Sequence, residues 1–207
     1  MPAARVRRPY KILSDSEVDD LHSATLFVLE NVGVRFEEEN ALKILHDAGA
    51  NADPKTGIVK LPAHLVEEAV KKCPRRIVLC GRAQKHDLTL GDGAVYFTAG
   101  ANALHILDLD TGIRRAPTSD DCAQLTKVFD ALDYAHAILP AVIPQDVPQH
   151  VSDRVKCKVS FENCEKHYLT DVYDRESAID LIMMAAAVAG GPDELKKRPL
   201  ISLNPSV

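Results

Sequence analysis

The second half of this sequence alternates strand-like and helix-like segments at a regular spacing, and no other feature constrains its fold as strongly. Runs typical of strands lie at 95–98, 137–143, 167–172 and 200–203. A helical pattern follows each of the first three, and the later strands begin about 30 residues apart, the length of a βαβ unit. This alternation predicts a parallel sheet with helices on its outside, either doubly wound or closed into a (β/α)8 barrel.

Capping signals mark where these helices begin. Thr118 and Asp121 form a capping pair ahead of the first helix, and Asp146 and Asp174 are predicted to cap the second and third. A hairpin is predicted around the turn at 110–112, between the first strand and the first helix. The run at 137–143 is nearly all apolar, which is typical of a strand covered on both faces.

The absence of a phosphate-binding loop favours the barrel over a dinucleotide-binding fold. No glycine-rich loop follows any strand, and the glycines at 91–93 precede a strand and open no helix. A barrel usually needs about 250 residues, and the sequence ends at Val207 after the fourth predicted strand. We therefore expect residues 94–207 to be the first half of an incomplete (β/α)8 TIM barrel, as the front part of a longer polypeptide.

Residues 1–93 are expected to form a small N-terminal α/β layer. Ser14 and Glu17 make a capping box, and Gly33 ends the helix that it begins. The elements predicted after it are a helix at 38–48, a strand at 58–61, a helix from Pro62 to before Pro74, and strands at 77–80 and 86–90. Residues 1–13 are expected to be a solvated tail that carries the basic cluster Arg5, Arg7, Arg8 and Lys11.

Charge and cysteine usage exclude several classes of protein. The formal net charge of −5 argues against a nucleic-acid-binding protein, and no apolar run is long enough to span a bilayer. The N-terminus lacks the apolar core of a secretory signal. The five cysteines have no zinc-knuckle spacing, so we expect reduced thiols that pack in the core, no metal site and a cytoplasmic protein.

Polar and small side chains follow each predicted strand, and in parallel α/β folds the functional groups gather at these carboxyl ends. The candidate substrate-binding residues are Thr98, Gly100, Asn102, Gln145, Asp171, Tyr173 and Asn204. Asn102 and Asn204 are the strongest polar candidates, because amides orient a substrate without adding charge. Tyr173 offers a π face to a cation.

Each candidate also has a structural interpretation that the sequence leaves open. Asp171 is equally well explained as a loop or capping residue, and Tyr173 as a rim residue packed on its neighbours. Arg114 and Arg115 are expected to pair with surface acids. The histidines are scattered and form no catalytic or metal-binding motif.

Several segments resemble the amino-terminal portion of the trimethylamine methyltransferase family, including its members without pyrrolysine. They include "ALKILHDAGANADPKTGIVKLPAHLVEEAVKKCPRRIVLCGR", "FTAGANALHILDLDTGIRRAPTSDDCAQLTKVFDALD" and "ILPAVIPQDVP". The most specific pieces are Gly33-Val34 leading to Phe36, the helix end at 47–50, and the hairpin that runs from Leu109-Asp110 to Arg115. These motifs are family patterns rather than catalytic ones.

The resemblance implies a (β/α)8 barrel that moves a methyl group from a methylated or quaternary amine, such as trimethylamine or glycine betaine, to cobalt. The corrinoid (cobalamin) that carries the cobalt belongs to a partner corrinoid protein, so no cofactor is expected to bind this chain directly. In the family members that use pyrrolysine, this residue belongs to the later half of the barrel, beyond Val207, and the catalytic residues are expected there too. We therefore expect the 207-residue piece to be inactive alone, and the full-length protein to be a homo-oligomer.

Two other functions fit the same pattern. One is a different small-molecule barrel enzyme, lyase-like or aldolase-like, which a Schiff-base lysine at a strand end would support. No lysine occurs at the four predicted ends. The other is a non-catalytic binding or assembly module that uses the amino-terminal layer.

Overall fold

The computed structural model describes residues 4–5, 10–91 and 93–205. These residues form two compact units. The amino-terminal unit holds residues 10–75, and the parallel-strand unit holds residues 4–5 and 76–205. The predicted domain boundary at 93/94 concerns the whole protein and stays a prediction. No helix in the described part of the chain has the length and apolar character needed to cross a membrane.

Helices and strands alternate along much of the chain, and each kind is numbered in chain order. The helices are α1 (Asp15–Asn31), α2 (Glu39–Asp47), α3 (Ala63–Lys72), α4 (Ser119–Ala131), α5 (Ser152–Asn163), α6 (Arg175–Ala189) and α7 (Pro192–Lys197). The strands are β1 (Ala4–Arg5), β2 (Val34–Arg35), β3 (Asn51–Ala52), β4 (Ile58–Lys60), β5 (Ile77–Leu79), β6 (Leu88–Leu90), β7 (Ala94–Val95), β8 (Ile106–Leu107), β9 (Arg114–Arg115), β10 (Ala137–Ile138), β11 (His167–Val172) and β12 (Ile201–Pro205).

The amino-terminal unit contains α1 to α3 and a small antiparallel sheet with the order β2-β4-β3. The predicted capping box is confirmed: Ser14 N–H donates to Glu17 Oε2 over 2.7 Å, and Glu17 N–H donates to Ser14 Oγ over 3.3 Å. Gly33 lets the chain leave α1 because it adopts φ 85°, and a Cβ there would lie 2.6 Å from the carbonyl oxygen of Val59. Any side chain at Gly33 would therefore push β4 away from the end of α1.

The parallel-strand unit holds the predicted strands side by side in chain order. Strands β10, β11 and β12 form a parallel sheet, with Ala137 opposite His167 and Asp171 opposite Asn204. The chain at 98–103, which begins with the last residue of the first predicted strand, joins through two isolated parallel bridges, Thr98 to Ala137 and Ala103 to Val142. Four neighbouring parallel segments agree with the predicted alternation, whereas closure into a barrel stays a prediction.

The two faces of β11 have different surroundings. Tyr168 points to the helices and packs on Phe161 of α5, with ring centroids 5.4 Å apart. The core on this side is a cluster of buried residues, namely Cys80, Ile138, Cys157, Phe161, Cys164, Tyr168, Leu181, Ala185 and Leu200. Because side chains alternate along a strand, His167 and Asp171 lie on the opposite face. That face is polar where β11 meets β12.

The hairpin of β5 and β6 packs against the amino ends of β11 and β12. The Cys80 N–H donates to the carbonyl of Pro199 over 3.3 Å, and its own carbonyl lies 2.9 Å from His167 Nδ1. A carbonyl can only accept, so Nδ1 carries the proton, and in the neutral ring Nε2 accepts from the Ser202 hydroxyl at 2.8 Å. Burial lowers the pKa of His167 and favours this neutral form.

An ion pair between Asp87 and Arg198 connects this hairpin to the start of β12. The guanidinium makes two hydrogen bonds to the carboxylate, at 2.9 and 2.7 Å. The Gly81 N–H donates a third at 3.0 Å. The hydrogen bonds from Arg198 hold the pKa of Asp87 below its ordinary value, and the Gly81 N–H adds a smaller effect in the same direction.

We expect Asp87→Asn to lower the free energy of unfolding at pH 7 by about 1–2 kcal/mol, the usual effect of losing a hydrogen-bonded charged pair at a half-exposed site. A carboxyl with a depressed pKa stabilises the fold above its unfolded pKa of about 3.9 and loses that contribution as the pH falls through the folded pKa. The difference between wild type and variant should therefore shrink below about pH 4. Urea unfolding between pH 3 and 7 measures this difference in stability. A difference that does not change with pH would contradict the ion pair between Asp87 and Arg198.

The predicted tail and the first predicted strand both need correction. Ala4–Arg5 pairs antiparallel with Ala94–Val95, so these tail residues belong to a sheet, because an exposed strand edge supplies unpaired backbone groups. The predicted strand at 95–98 does not pair with β10 along its length. Val95 pairs with β1, and only Thr98 of this segment bridges to β10. Arg7 and Arg8 lie outside the described residues.

The prediction that Asp146 caps its own helix is wrong. Its Oδ1 instead accepts from the N–H and the hydroxyl of Ser119, at 2.9 and 3.0 Å. Asp146 thus supports the start of α4, while the chain after it makes a 3-10 turn at Gln149–Val151 before α5 begins. The helix α7 was not predicted, although Pro192 at its first position is a recognised start signal.

Candidate functional site

Three of the predicted residues meet at the carboxyl ends of the parallel strands. Asp171 Oδ2 accepts from Asn102 Nδ2 over 2.6 Å, and Oδ1 accepts from Asn204 Nδ2 over 3.0 Å. Asn204 is brought to Asp171 by the register of β12 on β11. Asn102 is held near by its own backbone N–H, which donates to the carbonyl of Pro140 over 3.1 Å. The carboxylate is therefore held by one amide on each oxygen.

The backbone of Asn102 is unusual. It adopts φ 58°, and it is the only non-glycine residue with a positive φ in the part of the chain that the structure describes. Asparagine tolerates this left-handed region better than most residues, but the conformation still has an energetic cost. The conformation places the amide between Asp171 and a lysine that the sequence analysis did not identify.

That lysine is Lys156, on the face of α5 that points to the sheet. Its Nζ donates to Asn102 Oδ1 over 3.0 Å and lies 5.7 Å from the ring centroid of Tyr173. Only 1% of Lys156 is exposed. No lysine follows the predicted strands in the sequence, and this one reaches the strand ends because its long side chain arrives from a helix. A lysine inside an otherwise buried stripe of α5 was the signal that could have identified it.

Tyr173 packs against its neighbours, as one of its two predicted interpretations has it, and its role in binding a substrate cation stays a prediction. It is 43% exposed, its ring faces the Lys156 ammonium, and its hydroxyl lies 3.2 Å from the Ser152 hydroxyl at the start of α5. The ring therefore already faces one cation, and the residue also packs against its neighbours. We call Asn102, Lys156, Asp171, Tyr173 and Asn204 the strand-end cluster.

The helix starts beside this cluster are joined by polar contacts, some buried and some half-exposed. Asp174 caps α6 as predicted, accepting from the Ser177 N–H over 2.6 Å. The Ser177 hydroxyl donates to the fully buried Asp153. Arg154 donates to Asp180 over 2.6 Å and lies 3.7 Å from Asp174. The cluster therefore combines two strand residues and the loop residues Asn102 and Tyr173 with Lys156 of α5, beside helix starts that these polar contacts connect.

The other predicted site residues do not join the strand-end cluster. Thr98 Oγ1 donates to the adjacent carbonyl of Ala99 over 3.2 Å, and Gln145 Nε2 donates to the carbonyl of Leu104 over 2.6 Å. Gln145 lines a separate open cavity of about 390 Å³. Gly100 is exposed, and a Cβ built there would meet nothing within 4 Å. Gly100 thus leaves open space beside the cluster.

Comparison with known proteins identifies the family. The sequence profile of trimethylamine methyltransferase (MTTB) matches residues 2–205. This chain belongs to the trimethylamine methyltransferase family. The resemblance seen in the sequence motifs is therefore confirmed.

The curated relatives in this family are longer than the chain. It is 40% identical over 191 residues to trimethylamine methyltransferase MttB of Desulfitobacterium hafniense. The aligned region covers 92% of this chain and 38% of the relative. It is 30% identical over 193 residues to a glycine betaine methyltransferase of the same species, and the aligned region covers 93% of this chain and 40% of that relative. It is 26% identical to trimethylamine methyltransferase MttB2 of Methanosarcina mazei, and the aligned region covers 93% of this chain and 40% of that relative. The chain thus spans about two fifths of these relatives.

The hairpin that carries part of the resemblance to the trimethylamine methyltransferase family has a structural role. Arg115 on β9 donates to both oxygens of Asp121 at 2.6 and 2.8 Å, and to Asp108 at 3.2 Å. The Arg115 guanidinium holds the pKa of Asp121 well below its usual range. This confirms that Arg115 pairs with acids. Arg114 makes no ion pair with an acid among the described residues, and its guanidinium contacts His105 Nδ1 at 2.9 Å.

The cysteines of this family member are free and, apart from Cys73, buried. Burial raises the pKa of the Cys157 and Cys164 thiols to about 12, so both are protonated at neutral pH. Both pack in the hydrophobic cluster under β11, as expected for core cysteines. Among the described residues, no group of three or more histidine, cysteine or acidic side chains could hold a metal ion.

Proposed function

We propose that the complete gene product containing this chain transfers a methyl group from a methylated or quaternary amine to the cobalt of a corrinoid protein. Family membership supports methyl transfer, and the names of two relatives suggest trimethylamine and glycine betaine as methyl donors. The observation that carries the proposal is the Asp171 carboxylate, which one amide holds on each oxygen at the strand ends, two positions before Tyr173 in the sequence. Carboxylates and aromatic faces are the groups that stabilise such a cation.

The way in which Asp171 is held suits a quaternary ammonium. Such a cation has no N–H and cannot satisfy the hydrogen-bonding needs of a partly buried carboxylate, which would otherwise have an energetic cost. Asn102 and Asn204 satisfy those needs from the protein side. The negative charge of Asp171 then remains available to attract a cation that offers only charge and methyl groups.

The proposed reaction needs positioning more than acid–base chemistry. Cob(I)alamin supplies the electron pair that forms the new carbon–cobalt bond, and the carbon–nitrogen bond breaks as the amine leaves with its own pair. A quaternary nitrogen leaves as a neutral tertiary amine with no proton required, and trimethylamine reacts as its ammonium ion, which leaves as neutral dimethylamine and keeps its N–H proton. The protein must align the methyl carbon with cobalt and exclude water. We propose that the open space at Gly100 belongs to the approach of the corrinoid.

We also propose that the parallel-strand unit is part of a (β/α)8 barrel. The supporting observation is that four parallel segments lie in chain order, whereas a doubly wound sheet reverses its strand order at a switch point. In barrels, the active site lies at the carboxyl ends of the strands, where the strand-end cluster lies.

The test is methylation of a reduced corrinoid protein by the purified complete gene product, followed by the absorbance change from cob(I)alamin to methylcobalamin. We expect methylation with trimethylamine, glycine betaine or another betaine, and none with the 207-residue chain alone. Absence of transfer from every methylated amine would contradict the proposal. Transfer by the isolated chain would contradict the expectation that this piece is inactive.

A second candidate, a lyase-like or aldolase-like barrel enzyme, is favoured by one observation. It requires a lysine amine at the strand ends, and Lys156 Nζ lies there. Borohydride reduction in the presence of small aldehydes and ketones distinguishes the two, because it would trap a Schiff base as a stable adduct on Lys156. Such an adduct would replace methyl transfer as the preferred function.

A further inference from the structure

Lys156 is buried in an arrangement that simple packing does not explain. An ammonium is costly to bury unless it is paired and hydrogen-bonded. No carboxylate lies within 4 Å of Lys156 Nζ among the described residues, and its contacts are one amide oxygen and one aromatic ring. The buried charge therefore acts mainly on Asn102.

The chemistry of the three groups permits only one orientation of the Asn102 amide. A lysine ammonium can only donate and an ionised carboxylate can only accept. Asn102 lies between them, so its oxygen must face Lys156 at 3.0 Å and its nitrogen must face Asp171 at 2.6 Å. Lys156 thus prevents the amide from flipping, and the amide determines where Asp171 Oδ2 lies.

The amide also keeps the two charges apart. A direct ion pair between Lys156 and Asp171 would neutralise the carboxylate, which would then attract a substrate cation weakly. With Asn102 between them, Lys156 orients Asp171 without pairing with it. Asn204 holds the second carboxylate oxygen independently, over 3.0 Å.

We propose that Lys156 is a positioning residue that acts through Asn102 to hold Asp171 in the orientation that binds a cationic methyl donor. This inference rests on the proposed function. Lys156 does not touch the substrate, and its contribution is to binding geometry rather than to the chemical step.

The first test compares Lys156→Met with Lys158→Met in the complete gene product, with trimethylamine and glycine betaine as methyl donors. Lys158 is a matched control because it lies on the same helix, is exposed, and pairs at the surface with Glu162, its one ionic partner among the described residues. We expect Lys156→Met to raise KM about 10-fold and to change kcat much less, whereas Lys158→Met changes neither. A loss confined to kcat would overturn the positioning role.

The second test is a double-mutant cycle with Asn102→Ala. If Lys156 acts through Asn102, the double variant has the same KM as Asn102→Ala alone, because the link is already absent. Additive effects of the two substitutions would show that Lys156 acts on the substrate or on the fold directly, and would overturn the inference.

A third measurement separates this inference from the proposed function. If neither methyl donor is used by the wild-type protein, the proposed function fails, and the same cycle is then followed by thermal unfolding. Non-additive shifts in Tm would support the Lys156–Asn102 link as a structural device in a different site. Additive shifts would overturn the link itself.

Discussion

Replacing Asp171 with asparagine should lower kcat/KM for trimethylamine or glycine betaine by about 100- to 1,000-fold in the complete gene product. The substitution keeps the size of the side chain and removes its charge. A charge pair at about 4 Å is worth roughly 4 kcal/mol at an effective dielectric of 20, and each 1.36 kcal/mol corresponds to about tenfold in rate. The new amide would also place an N–H against the Nδ2 groups of Asn102 or Asn204, which now donate to Asp171.

The matched control for this experiment is Asp110→Asn. Asp110 is an exposed carboxylate in the turn between β8 and β9, so the variant loses the same charge away from the strand ends. We expect its kcat/KM to stay within about twofold of wild type, since surface substitutions usually have small effects. Equal and small effects of both variants would contradict a role for Asp171 in binding the methyl donor. Thermal unfolding of each variant confirms that the fold is intact.

Replacing Tyr168 with alanine should have the largest effect on stability, a loss of about 3–5 kcal/mol in the free energy of unfolding, as for other buried aromatic residues. Tyr168 is 1% exposed and lies in the core cluster between β11 and the helices. The space left by the ring could not close readily, because the surrounding strand and helices pack on one another. Urea unfolding measures the loss.

Tyr168→Phe is the companion variant, and we do not expect it to lower the free energy of unfolding. The buried hydroxyl of Tyr168 has no hydrogen bond of good geometry with any described residue, although it interacts with the Thr170 side chain, so removing it deletes a poorly satisfied polar group while the ring is kept. Burial raises the pKa of Tyr168 well above its ordinary value, so the phenol is neutral. We expect the phenylalanine variant to be as stable as wild type or slightly more stable. A loss comparable with that of Tyr168→Ala would show that the hydroxyl has a partner.

Local chemistry made much of the fold predictable. The capping box at Ser14 and Glu17 and the one at Thr118 and Asp121 are confirmed, because such caps depend on residues only three positions apart. The strand at 167–172 is confirmed with the predicted bounds. Hairpin and turn positions followed from residues that are adjacent in the sequence. These features require no knowledge of what packs against them.

The candidate site was predictable only in part. Asp171 and Asn204 meet because the carboxyl ends of neighbouring parallel strands share one edge, which the alternation of elements had already indicated. Gln145 was expected in the same place, yet it turns to the carbonyl of Leu104. The sequence indicates which residues follow a strand, but it does not indicate which way each side chain leaves the loop.

By itself, the sequence determined the family and most helix starts, with α5 and α7 as the exceptions, because these depend on motifs and on short-range patterns. Tertiary structure alone decided that Asp146 supports α4 and that Lys156 reaches Asn102. Both contacts join residues that are far apart in the chain, and both depend on which helix lies beside which strand end. A long side chain on a buried helix face can reach any of several neighbours, and only packing selects one of them.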